Sequence, residues 1–84
     1  MTTKAGYLMV YDHDGLLYVD GFEDAILGID VVSDRVIYCV NKCIEILRLE
    51  NNMSYDEAVF FLDRNAFTMN FGVKTPLWSM AMTK

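Results

Sequence analysis

The sequence predicts an α+β domain: a small antiparallel sheet, made of an N-terminal hairpin plus further strands, packed with a two-helix hairpin. Three observations predict it. Two apolar runs, residues 7–11 and 16–19, flank an Asp-Gly pair. The run Arg35-Val36-Ile37-Tyr38-Cys39-Val40 is β-branched and almost wholly apolar. Ser54-Tyr55-Asp56-Glu57 has the form of a capping box, in which the serine hydroxyl and the glutamate carboxylate each take up a free amide at a helix start.

A chain of 84 residues is expected to be a single domain, residues 1–84, near the size at which one core is only just sufficient. Its organisation reads as a hairpin at 7–19, further strands at 20–40, a helix-turn-helix hairpin at 41–66, and a C-terminal segment with an edge strand at 67–84.

The hairpin is the first element. Val, Tyr, Leu and Met give both runs strand composition. Asp-Gly between two such runs is a strong hairpin signal, because a type I′ turn needs positive φ at both corner residues. With Asp14 and Gly15 as the corner, Tyr11 faces Tyr18 and Val10 faces Val19. The same stretch, Asp12-His13-Asp14-Gly15, has the D-x-D-G form of the nucleophilic loop in haloacid-dehalogenase phosphatases. That fold requires parallel strands joined by crossovers of a dozen or more residues each. Here the chain runs straight on into strand-like Tyr18-Val19, with no room for the later motifs of such a site. A calcium loop is excluded as well, since the glycine at the sixth loop position and the closing glutamate are missing. The reading is a turn.

Residues 20–25 read as a turn or one helical turn, and Ile26-Leu27-Gly28-Ile29 as a short strand. Ser33-Asp34 breaks the chain before the strand that starts at Arg35. Asn41 offers an N-cap for a helix from Lys42 to about Glu50. Its apolar face is Cys43, Ile44, Ile46 and Leu47; Lys42, Glu45 and Arg48 face solvent. Asn51-Asn52-Met53 ends it. A second helix runs from Tyr55 to about Asn65, with Ala58, Phe61 and Leu62 toward the core. Tyr55, Val59 and Phe60 widen its apolar arc beyond one face, which argues for a partner there. Asn65 falls at the spacing of Ala58 and Phe61, so its amide points inward or toward a seam. In the tail, Gly72 marks a turn and residues 75–78 an edge strand, where Pro76 is tolerable. Gly72-Val73-Lys74-Thr75 falls short of a phosphate loop, because neither glycine of that motif is in place. The expected core is Val10, Leu17, Val19, Ile26, Val36, Ile37, Cys43, Ile44, Leu47, Ala58, Phe61 and Leu62.

Composition bounds the function. The chain is 54% hydrophobic, with five Tyr, five Phe, one Trp and six Met, against roughly 45–50% apolar in an average soluble domain. The surplus has to reach the surface, and a homo-oligomer is the expected consequence. The net charge of −5 repels phosphate backbones and acidic lipid, so nucleic-acid and membrane binding are disfavoured. No stretch reaches the roughly 18–20 uncharged apolar residues of a membrane span, and the N-terminal residues lack the pattern of a signal peptide. Cys39 and Cys43, spaced C-x3-C, make neither a redox motif nor half of a zinc site, and His13 is the one histidine. Reduced core cysteines in a cytoplasmic compartment are expected, with no metal and no cofactor.

Several blocks, taken together, resemble a family. "DGFEDAILGI" (residues 20–29), "NKCIEIL" (41–47), "MSYDEAVFFLDRN" (53–65) and "GVKTPLW" (72–78) are similar, in the same order, to a family of small uncharacterised phage-borne proteins. Its pattern is K-C-I-E-I-L, then M-S-x-x-E-A, then T-P-[IL]-[FW]. The resemblance covers residues 20–78, and the block at residues 42–47 is its most specific part. Where the family has G-A-W-V-G-E, this chain has Thr68-Met69-Asn70-Phe71-Gly72-Val73, and its hairpin at 7–19 is additional. The resemblance implies a viral source, and with the cytoplasmic compartment expected from the cysteines the place of action is the host cytoplasm. It implies no activity.

With no catalytic constellation in the chain, the expected function is non-enzymatic: a small phage effector that binds and blocks a host protein or sequesters a host defence signal. The alternative is a structural or assembly component of the virion or of the phage replication machinery. An enzyme using Asp20, Glu23 and Asp24 is the weakest reading, because those residues make a solvated turn. Tyr55, Val59, Phe60, Phe67, Phe71 and Trp78 are the candidate partner or oligomer surface. Arg35, Lys42, Arg64, Asn65 and Lys74 are the candidate ligand contacts, since an anionic signal needs local donors.

Overall fold

The structure is a computed structural model and describes residues 9–11, 15–70 and 72–80. Two sheets and two helices confirm the α+β class. The strands β1 (Met9–Tyr11) and β2 (Leu17–Val19) form an antiparallel pair. The strands β3 (Ile26–Asp30), β4 (Arg35–Cys39) and β5 (Leu77–Ser79) form the second sheet in that order. Between β4 and β5 come the helices α1 (Val40–Asn51) and α2 (Tyr55–Leu62), with a π-helical turn, Asp63–Phe67, running on from α2.

The hairpin differs from its expected register by one residue. Met9 pairs with Val19, Val10 with Tyr18 and Tyr11 with Leu17. Five residues therefore separate the paired ends, not a two-residue Asp14-Gly15 corner; residues 12–14 lie outside the described residues. A slip of one residue turns every side chain of a strand to the other face. Val10, expected in the core opposite Val19, is accordingly 47% exposed, while Met9 packs against the core in its place.

The chain then makes a 3-10 turn, Glu23–Ala25, which buries Ala25. The strand β3 pairs antiparallel with β4, with an irregularity between Ile26 and Gly28. At the turn joining them, Asp30 holds the loop: its carboxylate accepts from the Ser33 amide at 2.9 Å and the Ser33 hydroxyl at 2.6 Å. These bonds, the side-chain one foremost, keep the Asp30 carboxyl below the usual aspartate range.

The helix α1 begins two residues earlier than expected. Its N-cap is Cys39, with no side-chain cap bond, so Asn41 is an exposed residue of the first turn and not the cap. The helix buries Val40, Cys43, Ile44, Ile46 and Leu47 and stops where Asn52 takes a left-handed conformation, φ 56°. Asparagine is the non-glycine residue that accepts this region most readily. The expected capping box opens α2: Ser54 Oγ accepts from the Glu57 amide at 3.1 Å, and the Glu57 carboxylate accepts from the Ser54 amide at 2.8 Å. Beyond Leu62 the wider π turn frees carbonyl groups. Two side chains take them up: Asn65 donates to the Phe61 carbonyl at 2.9 Å and Thr68 to that of Asp63 at 3.0 Å.

The strand β5 lies at the sheet edge, directly after Pro76, and pairs parallel with β4. A parallel neighbour needs a long crossover, and the two helices supply it. The core centres on two residues absent from the expected list, Tyr38 and Phe22, with ring centroids 6.4 Å apart. Trp78 stacks on Tyr38 at 5.2 Å, and Phe67 meets Trp78 edge-on at 5.5 Å. Ile26 and Phe61 pack half-buried against this cluster, and Ile37 is half-buried on the opposite face of β4 from Val36 and Tyr38. Among the described residues, no helix is long and apolar enough to cross a membrane.

Candidate functional site

The turn between the two helices carries the clearest surface feature. Two open depressions of about 530 and 550 Å³ adjoin there, sharing Asn52 and Met53 in their walls. The left-handed residue Asn52 reverses the chain and brings the end of α1 beside the start of α2. The first depression is lined on the α1 side by Ile44, Glu45, Arg48 and Leu49, and on the other by Tyr55. The second is lined by Glu57, Phe60, Phe61, Arg64 and Asn65 from α2 and the π turn. Together they make a groove across the helical end of the molecule.

Large apolar side chains stand open along it. Leu49 is 74% exposed, Phe60 62% and Tyr55 50%. Its charges are unevenly committed. Glu45 is held by Lys42 at 3.2 Å, and Glu57 belongs to the capping box. Arg64 lies over the Phe60 ring, 5.0 Å from its centroid, a contact that leaves the guanidinium donors free. Among the described residues, Arg48 has no hydrogen-bond or ion-pair partner.

Some of the residues expected to form the site meet here and some do not. Tyr55, Phe60, Arg64 and Asn65 line the groove. Asn65 is exposed, and its amide is tied to the Phe61 carbonyl of its own helix, so it points neither inward nor toward a seam. Val59 is half-buried against the core, on the same helix. Lys42 is paired with Glu45 near the start of α1. Phe71 lies outside the described residues.

Phe67 and Trp78 belong to a third cleft of about 420 Å³, together with Arg35 and the loop that leads to β5. Both rings also extend the core's aromatic row, and the cleft they line is not one that Tyr55 or Phe60 lines. The polar groups around that loop satisfy one another. Thr75 donates from its hydroxyl to the Gly72 carbonyl at 2.7 Å, Asn70 accepts from the Gly72 amide at 3.0 Å, and the Arg35 Nε donates to the Thr75 carbonyl. Lys74 sits 3.8 Å from Asp34. These contacts anchor the approach to β5, which gives Arg35 and Lys74 structural work.

Sequence reasoning missed Arg48, Leu49, Asn52 and Met53 as members of one site. A signal was present: Leu49 falls off the buried face of α1, two residues ahead of the break, where an apolar residue has no core to enter. The two thiols offer no chemistry in the groove. Cys43 is fully buried, and that burial pushes its thiol up to about 12. Among the described residues, no three His, Cys, Asp or Glu side chains gather to hold a metal ion. No known family, curated protein or solved structure matches the chain.

Proposed function

We propose that the protein is a small effector of phage origin that acts by binding in the host cytoplasm, blocking a host protein through the groove at its helical turn. The observation that carries this reading is the exposure of Leu49, Tyr55 and Phe60 along one groove of an acidic chain. Apolar side chains gathered in this way are a common mark of contact with another chain. The groove is open and spans two adjoining depressions, whereas small-molecule sites bury most of their ligand. Blocking a protein is thus better supported than sequestering a defence signal. The resemblance at residues 20–78 supports the phage origin.

The test is to express the tagged protein in a bacterial host and analyse what co-purifies by native mass spectrometry, beside a Leu49→Glu/Phe60→Glu variant. A defined complex with one host protein, lost in the variant, supports the reading. A complex that survives the variant, or no complex, removes it.

A second reading, a homo-oligomeric structural or assembly component, draws on a different surface. Leu27 and Ile29 on the edge strand β3 are 59% and 46% exposed, and Val31 and Val32 beyond it are 89% and 90% exposed. An open strand edge with apolar side chains is a template for pairing with another copy. The same native mass spectra report it as a multiple of the chain mass that the groove variant leaves intact.

A further inference from the structure

The groove is less acidic than the molecule around it. The chain carries −5 overall, and its acidic residues outnumber its Lys and Arg by twelve to seven. The groove lining itself carries two Glu and two Arg and is formally neutral. The two carboxylates there are both engaged, Glu45 by the Lys42 ammonium and Glu57 by the Ser54 amide. The two guanidiniums keep their donors. Arg64 is engaged only through the face of Phe60, and Arg48 has no hydrogen-bond or ion-pair partner among the described residues. Leu49, Met53 and Phe60 supply apolar wall beside these cations.

We infer that the groove takes an acidic peptide segment of its partner, with carboxylates on Arg48 and Arg64 and an apolar side chain seated against Leu49, Met53 and Phe60. The inference rests on the proposed binding function and names the chemistry of the occupant. A guanidinium presents a planar fork that matches a carboxylate in two parallel bonds, which a basic or neutral segment cannot use. The repulsive half of the specificity comes from the rest of the surface. An acidic segment is turned away elsewhere on a molecule of net charge −5 and is accepted only where free cations meet an apolar wall. Both arginines are exposed, so their replacement leaves the core untouched.

The experiment selects randomised dodecapeptides against the immobilised full-length protein, then measures the enriched peptides by fluorescence anisotropy. Three variants are compared: Arg48→Glu, Leu49→Glu, and Lys74→Glu, which makes the same change in net charge outside the groove lining. The expected result is enrichment of Asp and Glu beside an aromatic or branched aliphatic residue. Binding is expected to weaken about tenfold in Arg48→Glu, through loss of the pair and new like-charge repulsion, and to change less than about twofold in Lys74→Glu. Neutral or basic peptides that are lost in Leu49→Glu overturn the acidic occupant and leave the groove as a binding site. Equal weakening by Arg48→Glu and Lys74→Glu overturns it too, by reducing the effect to bulk charge. No enrichment, or peptides indifferent to Leu49→Glu, removes both the occupant and the groove.

Discussion

The backbone amide of Val19 donates a 2.8 Å hydrogen bond to the hydroxyl of Tyr38. This bond joins the hairpin to the three-stranded sheet, since Val19 ends β2 and Tyr38 is a fully buried residue of β4. It also explains how a polar atom lies inside an apolar cluster: the hydroxyl gives a strand-end amide the partner that its own two-stranded sheet lacks. Replacing Tyr38 by Phe keeps the ring and its stacking on Trp78 but leaves the Val19 amide buried without a partner. The expected cost is about 1–3 kcal/mol, measured by urea denaturation. Amide hydrogen exchange should show the loss concentrated at Val19. Unchanged protection there would mean that the hydroxyl does not hold the hairpin.

Alkaline pH acts on the same cluster. Burial pushes Tyr38 up to about 12 from an ordinary 10.0, and pushes Cys43 up to about 12 from 9.0. For an acid whose folded value is raised, the unfolded chain loses its proton first. The stability tied to each neutral group is complete below the unfolded value and declines as pH rises through the interval. Stability should therefore start to fall near pH 9, through Cys43, and more steeply above 10, as Tyr38 joins it. In Cys43→Ala the first part of the decline should disappear, as chemical denaturation at stepped pH would show. A decline with the same onset in that variant would assign it to other groups.

Cys43 should also resist thiol reagents at pH 8 until the protein unfolds, because it is fully buried and its thiolate is disfavoured. Mass spectrometry after brief alkylation would place the first label on half-buried Cys39. Early labelling of Cys43 would mean that the start of α1 opens far below the global unfolding free energy.

The helical hairpin was the most legible part of the chain, because its signals are local. The capping box, the Asn51-Asn52 break and the apolar period of α1 each act within a few residues, and each is met in the structure. The parallel pairing of β5 with β4 was not legible, since it depends on how far the helices carry the chain. The one-residue slip of the hairpin was not legible either: it keeps Val19 and Leu17 inward and sets Met9, not Val10, opposite Val19. Tyr38 and Phe22 were missed as the core centre because the ring contacts of Tyr38, with Phe22 and with Trp78, join residues remote in sequence. The groove was half legible. The wide apolar arc of α2 marked Tyr55 and Phe60. Arg48 and Leu49 belong with them only through the fold-back at Asn52.

That fold-back is a target in its own right. Asn52 has φ 56° and ψ 34°, a region that glycine enters freely and alanine at a cost of about 1–2 kcal/mol. Asn52→Gly should change stability by less than about 1 kcal/mol, while Asn52→Ala should lower it by about 1–2 kcal/mol. Removing the adjoining cap in Ser54→Ala should cost about 1 kcal/mol more. The two changes touch neighbouring residues, so a double variant measures whether turn and cap act together. Additive losses would show the turn and the start of α2 forming independently.

Phe60 and Trp78, two aromatics expected on one partner surface, should behave as opposites. Phe60 is 62% exposed and touches the Arg64 guanidinium, while Trp78 is half-buried, stacked on Tyr38 and met edge-on by Phe67. Phe60→Glu should leave the melting temperature within about 4 °C of the parent, since an exposed substitution is worth about 0.5 kcal/mol or less. Trp78→Ala should cost about 2–3 kcal/mol, somewhat below the roughly 3–5 kcal/mol of a fully buried aromatic, because one edge is already in water. A charge at position 78 therefore disrupts the core before it can report on any partner, and loss of binding in Trp78→Glu has no bearing on an interface. The informative comparison is Phe60→Glu: folded by circular dichroism and impaired in peptide binding if the groove is the working surface, folded and unimpaired if it is not.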